Sequence, residues 1–160
     1  MDTDAPRPIL LEDYKPPNYL IDTVSLDVAL DPTRTRVRSR MQMRANTDFP
    51  GKPGALKLDG ELLALEKIVL DGRELGHSDY QVTDRHLTIA KLPAGDFKLE
   101  IVTVCNPKAN AALTGLYLSK GIYCTQCEAQ GFRRITYFLD RPDVMARYSV
   151  RIEAERARCP

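Results

Sequence analysis

Tryptophan is absent from the 160-residue chain, and histidine occurs only at His77 and His86. Two histidines cannot build a histidine-rich metal cage. Neither H-E-x-x-H nor G-x-x-x-x-G-K-[ST] occurs, which argues against a self-contained zinc hydrolase or a P-loop nucleotidase. An excess of charge of either sign is also missing: Lys+Arg total 23 against Asp+Glu 22, a net charge of +1. That balance removes the electrostatic case for a nucleic-acid or acidic-membrane partner. No apolar run approaches the roughly 20 residues that cross a bilayer. The opening Met1-Asp-Thr-Asp-Ala-Pro-Arg-Pro has neither a basic n-region nor an apolar h-region, so no secretory signal is read and a cytoplasmic protein is expected. Cysteine is sparse. Cys105, Cys124, Cys127 and Cys159 stand at irregular spacing and are expected to be reduced thiols rather than a disulfide framework.

What is present is the composition of one soluble globular domain, 43% hydrophobic and 28% charged, long enough to bury roughly 70% of its unfolded surface. Residues 1–20 include Pro6, Pro8, Pro16 and Pro17 and read as an extended arm laid on a surface. From there to residue 160 the period is two. Val24, Leu26, Val28 and Leu30 alternate with Ser25, Asp27 and Ala29; Asp31-Pro-Thr-Arg-Thr turns; Val37, Ser39, Met41 and Met43 then alternate with arginines. The pattern predicts an antiparallel hairpin with one wet face. Arg34, Arg36, Arg38, Arg40 and Arg44 read as that solvated face, with an anion-binding stripe as the competing reading.

Residues 62–70 read as a strand ending at the hairpin dipeptide Asp71-Gly72. Tyr80 and Val82 pair by pattern with Leu87 and Ile89, and residues 97–103 form another alternating run. Residues 116–118, 122–124, 135–138 and 148–154 complete the predicted strands. A short helical turn is expected at residues 140–146, with Asp140 as cap and Pro142 in the first turn. Many short strands between turn signals predict an all-β domain, an antiparallel β-sandwich or saddle-like sheet.

His77 and His86 lie in turn-like contexts and read as surface residues. Cys124-Thr-Gln-Cys127 matches a C-x-x-C, but a zinc ribbon needs a second such pair, and a redox site needs a helix N-terminus. On a strand the two thiols face opposite ways, so structural thiols are expected. A metal or redox protein built on this pair remains a lesser alternative.

The stretch Tyr123-Cys-Thr-Gln-Cys-Glu-Ala-Gln-Gly-Phe-Arg-Arg-Ile, continuing to Tyr148, resembles a segment of the aminopeptidase N family of zinc metallopeptidases, in its bacterial alanyl-aminopeptidase branch. The likeness reaches upstream through Asn110-Ala-Ala-Leu-Thr-Gly-Leu-Tyr, the hairpin from Asp22 to Arg40, and Asp13-Tyr-Lys-Pro-Pro-Asn-Tyr. It implies a multidomain cytoplasmic exopeptidase whose N-terminal β-domain lies against a catalytic domain carrying the zinc. This chain is then expected to be a truncated N-terminal domain, with its catalytic domain elsewhere in the same polypeptide. Zinc belongs to the full-length parent and none to this chain, so the isolated chain is expected to be inactive. The resemblance also implies that Glu128 binds the α-amino group of the peptide substrate and that Gln126 lines the subsite for its first side chain. No catalytic or metal-ligating residue is assigned here. Gln130 departs from an acidic residue common in relatives, at a position outside the principal binding residues. Strand geometry would put residues 126 and 128 on one face, and a carboxylate in a largely dry pocket would hold a cationic terminus by charge-assisted hydrogen bonds. The alternative from another class is a stand-alone β-sandwich module that binds peptide or protein without catalysis.

Overall fold

In the computed structural model, which describes residues 11–156, the first strand changes which residues it turns inward. Strand β1 (Tyr19–Ala29) is buried at Tyr19 and Ile21, then at Val24 and Leu26. Its ladder to β2 (Thr35–Ala45) shifts register between Ile21 and Thr23. A one-residue bulge at Asp22 resets the parity, which is why the period-two pattern becomes legible only from Val24. Strand β2 keeps strict alternation, with Val37, Ser39, Met41 and Met43 buried. The expected hairpin is present, with Val24 opposite Met41 and Val28 opposite Val37.

Strands β3 (Leu56–Asp59), β4 (Ala64–Leu70), β5 (Arg73–Glu74), β6 (Tyr80–Val82), β7 (His86–Ile89) and β8 (Phe97–Cys105) follow. Last come β9 (Gly115–Ser119), β10 (Ile122–Gln126) and β11 (Arg147–Glu153). They form a six-stranded sheet in the order β11-β1-β2-β8-β4-β5, a three-stranded sheet β3-β7-β6 and the two-stranded ribbon β10-β9. The Asp71-Gly72 turn closes β4 on β5 with both residues at positive φ, 47° and 83°. That is the backbone a tight primed hairpin turn requires. Tyr80 stands opposite Ile89 and Val82 opposite Leu87, as the pattern predicts.

The core lies between the large and the small sheet. Met41, Met43, Phe97, Leu99 and Ile101 join Leu56, Leu58, Leu87 and Ile89 in one cluster, all at most 2% exposed. Each such side chain contributes about 1.5–3 kcal/mol by leaving water. The all-β, largely antiparallel class is as expected, with one pair apart: β11 runs parallel to β1. A parallel neighbour cannot be reached by a tight hairpin, so residues 106–146 cross the end of the molecule before β11 rejoins the sheet.

Two local expectations are corrected by this crossing segment. Residues 135–138 form no strand; a 3₁₀ turn at Phe132–Arg134 precedes them, and the N–H groups of Ile135 and Thr136 both donate to the Phe132 carbonyl, at 2.9 and 3.3 Å. The single sheet-like contact is a bridge between Phe138 and Asp59. All of residues 135–140 are buried, so apolar character there reports burial on every side and not alternation. Residues 140–146 form no helix but a turn closed from Val144 N–H to the Arg141 carbonyl at 3.2 Å, because the Asp140 carboxylate that would cap a helix is held by Arg133.

Within the expected arm, residues 1–10 lie outside the described residues, as does Cys159. Further along, Tyr14 donates to Asp143 at 3.0 Å, Arg141 to the Lys15 carbonyl at 2.8 Å and Asn46 to the Pro17 carbonyl at 2.7 Å. The arginine face is paired across the strands: Arg34 and Arg36 with Glu66 at 2.9 and 2.7 Å, Arg44 with Asp22 at 3.1 Å, and Arg40 with Asp27. These guanidinium groups already have carboxylates, which favours the solvated-face reading over an anion site. Among the described residues no helix is long and apolar enough to cross a membrane.

Candidate functional site

The ribbon β9–β10 presents the segment the sequence singles out. Its turn, Lys120-Gly121, has positive φ at both positions, 51° and 83°, and sets Ser119 opposite Ile122 and Gly115 opposite Gln126. Tyr123, Thr125 and Cys127 face an apolar groove of about 450 Å³ that Leu26, Leu116 and Phe132 also line. Cys124 and Gln126 therefore turn away from it. Cys124 and Cys127 are separate free thiols. Burial, with the Asp140 carboxylate nearby, pushes the Cys127 thiol up, which disfavours the thiolate that redox or metal chemistry needs.

Glu128 does not lie on β10. The strand ends at Gln126, and residues 127–131 form a turn closed by the Gly131 N–H donating to the Cys127 carbonyl at 2.8 Å. The shared strand face expected for residues 126 and 128 is thus replaced by a direct contact: the Gln126 side-chain amide donates to the Glu128 carbonyl at 3.3 Å. Both side chains are exposed. The Glu128–Ala129 peptide bond is cis. The physical reason for the early strand end is crowding at its neighbours. A Cβ on Gly131 would stand 2.4 Å from the Gln126 carbonyl oxygen and 2.9 Å from the Cys127 Cα, and one on Gly115 would stand 2.6 Å from the Arg134 Cβ. Two glycines let the turn press onto β9 where no side chain fits.

Beneath the turn lies an ion-pair platform that sequence reasoning missed. Arg133 donates from Nε to the Asp140 carboxylate at 2.8 Å, and its backbone N–H donates to the same oxygen at 3.2 Å. Its guanidinium is 3.8 Å from Asp59. Asp59 also accepts from the Asp140 N–H at 3.3 Å and lies 3.6 Å from His86 Nε2. Arg134 reaches Glu61 at 3.1 Å. The two arginines following the turn thus anchor it to the β3 end, while pairing with β9 anchors its other side. The available signal is the adjacent Arg133-Arg134 pair two residues after Gly131, and the cap role expected for Asp140 conceals its pairing with Arg133. His86 joins this network at its rim, whereas His77 contacts Tyr80 at 3.1 Å on the surface.

Among the described residues no three of His, Cys, Asp and Glu come together in a set that could hold a metal. What the site offers is a carboxylate on a braced turn beside a carboxamide. Asp22, Asp27, Asp59, Glu61, Glu66 and Asp140 are ion-paired, whereas the Glu128 carboxylate, like those of Asp84 and Asp96, has no ion-pair partner among the described residues. Such a group is chemically a receptor for a cation.

The fold is an all-β domain of three sheets, with the turn of residues 127–131 following the last strand of the β9–β10 ribbon. The Peptidase M1 N-terminal domain model matches residues 26–159, and the chain belongs to that family. Aminopeptidase N of Caulobacter vibrioides is 49% identical over 155 residues, which is 97% of this chain and 18% of that protein. Aminopeptidase N of Haemophilus influenzae is 41% identical over 152 residues, 93% of this chain and 17% of that protein. The crystal structure of Legionella pneumophila aminopeptidase A in complex with aspartic acid superposes with a TM-score of 0.81 at 29% identity, covering 89% of this chain and 17% of that one. The chain thus spans 17–18% of the length of these relatives. The resemblance stated from the residues is borne out.

Proposed function

We propose that this chain is the substrate-amine-recognising domain of a zinc-dependent aminopeptidase, with the hydrolytic machinery in another part of the same polypeptide. The observation that carries the reading is the Glu128 carboxylate, exposed and without a partner among the described residues, on a turn braced from both sides. An exopeptidase must distinguish a free N-terminus from an internal peptide bond, and the difference between them is one positive charge. A carboxylate fixed at the end of the binding cleft reads that charge, and Gln126 beside it offers a neutral amide to the first side chain.

The test is Glu128→Gln in the full-length protein. The change keeps shape and hydrogen-bonding capacity but deletes the charge, so about 1.5–3 kcal/mol of anchoring is lost. Catalytic efficiency on free-amine substrates is expected to fall roughly 10- to 150-fold. Gln126→Ala is expected to act more mildly, shifting the preference for the first side chain. Wild-type efficiency in Glu128→Gln would make Glu128 an ordinary surface carboxylate, and a parent that binds peptides without cleaving them would favour the stand-alone binding module.

A further inference from the structure

Asp143 gathers three hydrogen bonds from two distant parts of the chain. Arg141 grips both of its oxygens, Nε to Oδ1 at 2.8 Å and Nη2 to Oδ2 at 2.6 Å, and the Tyr14 hydroxyl donates to Oδ2 at 3.0 Å. Nη2 of the same guanidinium donates to the Lys15 carbonyl at 2.8 Å, and its carbon stands 5.9 Å from the centre of the Tyr14 ring. A bidentate fork with a further donor to spare is a role that arginine fills and lysine does not. Arg141 is thus shared between the crossing segment and the stretch that leads into β1.

That stretch is a strap fixed at its other end to the large sheet. Pro16-Pro17 has no N–H to give to a ladder and little freedom in φ, so it runs extended. The Pro17 carbonyl accepts from the Asn46 side chain at 2.7 Å, and the Asn18 side chain donates to the Pro53 and Ala55 carbonyls at 2.6 and 3.0 Å. Residues 139–144, which the strap grips, have two backbone hydrogen bonds of their own, from Arg141 to Leu139 at 2.9 Å and from Val144 to Arg141 at 3.2 Å, and Pro142 offers no N–H. Side chains must therefore hold this stretch in place. Arg141 and Asp143 do so from the strap, and Asp140, one peptide unit away, carries the carboxylate that takes both the Nε and the backbone N–H of Arg133. Arg133 stands two residues beyond Gly131, which closes the turn bearing Glu128.

We propose that Tyr14 and Arg141 are positioning residues for Glu128: the strap sets the crossing segment, and through Asp140 and Arg133 the turn on which the carboxylate stands. The inference rests on the reading of Glu128 as the receptor for the substrate amine. A charge-assisted hydrogen bond forms only when its heavy atoms stand about 2.7–2.9 Å apart, so a carboxylate on a turn free to shift by an ångström spends part of its time out of reach. Neither Tyr14 nor Arg141 need touch the substrate. Their effect is on how often Glu128 is in place.

The experiment is steady-state kinetics of the full-length protein on an aminoacyl anilide, with folding of each variant checked by circular dichroism. Arg141→Ala should raise KM about tenfold and Tyr14→Phe about threefold, within the range that residues without ligand contact impose on a coupled site. Turnover should stay within about twofold of wild type, because an anchoring contact made equally in the ground and transition states appears in KM. In a Glu128→Gln background the same changes should add little, since the group they position has lost its charge. Tyr14→Phe deletes one surface hydroxyl and keeps the ring, so it decides the matter should Arg141→Ala fail to fold. If Glu128→Gln lowers efficiency while the strap variants leave KM unchanged, the amine reading stands and this inference is overturned. A loss confined to kcat, or one of equal size in the Glu128→Gln background, makes the strap merely structural and overturns it too. Wild-type behaviour of Glu128→Gln itself removes the amine reading, and this inference with it.

Discussion

Gly131 is surrounded by backbone, with the Gln126 carbonyl and the Cys127 Cα both inside the distance a methyl group needs. Backbone cannot move aside as a flexible side chain can, so Gly131→Ala is expected to cost about 1–3 kcal/mol in urea unfolding. Gly95→Ala, at a position with nothing within 4 Å and no positive φ, should stay within about 0.5 kcal/mol of wild type. Asp143 gives a second test at this scale. The Arg141 guanidinium, with help from the Tyr14 hydroxyl, holds its carboxyl below the usual range. The unfolded chain therefore takes up the proton first on acidification. The stabilisation is complete above the unfolded value near 4 and is lost as pH falls through the lower folded value. The melting-temperature difference between wild type and Asp143→Asn should be present at neutral pH and vanish below that window. A difference that grew on acidification would reverse the assignment. Glu128 itself was legible only through its resemblance to a known segment, since nothing in period or composition separates it from other exposed carboxylates.

The element that decides the site is the turn of residues 127–131, gripped between β9 and the Arg133 platform. Arg133 and Asp140 have side chains only 16% and 9% exposed. Removing the acid leaves a mostly buried guanidinium with a weaker partner in Asp59. Asp140→Asn is expected to destabilise the chain by about 2–3 kcal/mol, at the lower end for breaking a buried pair, as measured by chemical denaturation. Because the same carboxylate oxygen also receives the Arg133 N–H, the loss should concentrate in this segment. Amide exchange should quicken at Gly131 and Ile135 more than in β2 or β8; a uniform increase would show that the pair serves the whole fold and not the turn. The platform stayed hidden in the sequence because its members come from β3, from the turn and from the crossing segment. The bridge between Asp59 and Phe138, with the Glu61 N–H donating to the Arg133 carbonyl at 2.9 Å, brings those pieces together.

For the whole molecule, the reading of a recognition domain without its own metal site makes a direct prediction. A rigorously purified 160-residue chain should release no N-terminal residue from aminoacyl anilides, with or without added zinc, because the described residues assemble no donor set to activate water. Zinc-dependent release by that chain would overturn it. The sequence by itself determined the hairpin of β1 and β2, the Asp71-Gly72 turn and the pairing of β6 with β7. Each of these is a contact between near neighbours, written in period-two alternation and in residues that tolerate positive φ. Tertiary structure alone decided the rest: the bulge at Asp22, the parallel return of β11, the irregular path of residues 132–146, and the place of Glu128 beyond the end of β10. The physical reason is that these depend on what lies on both sides of a segment. Residues 135–140 are buried on every face, which erases alternation. Their backbone hydrogen bonds go to Asp59 and to their own turn, partners that no local pattern identifies.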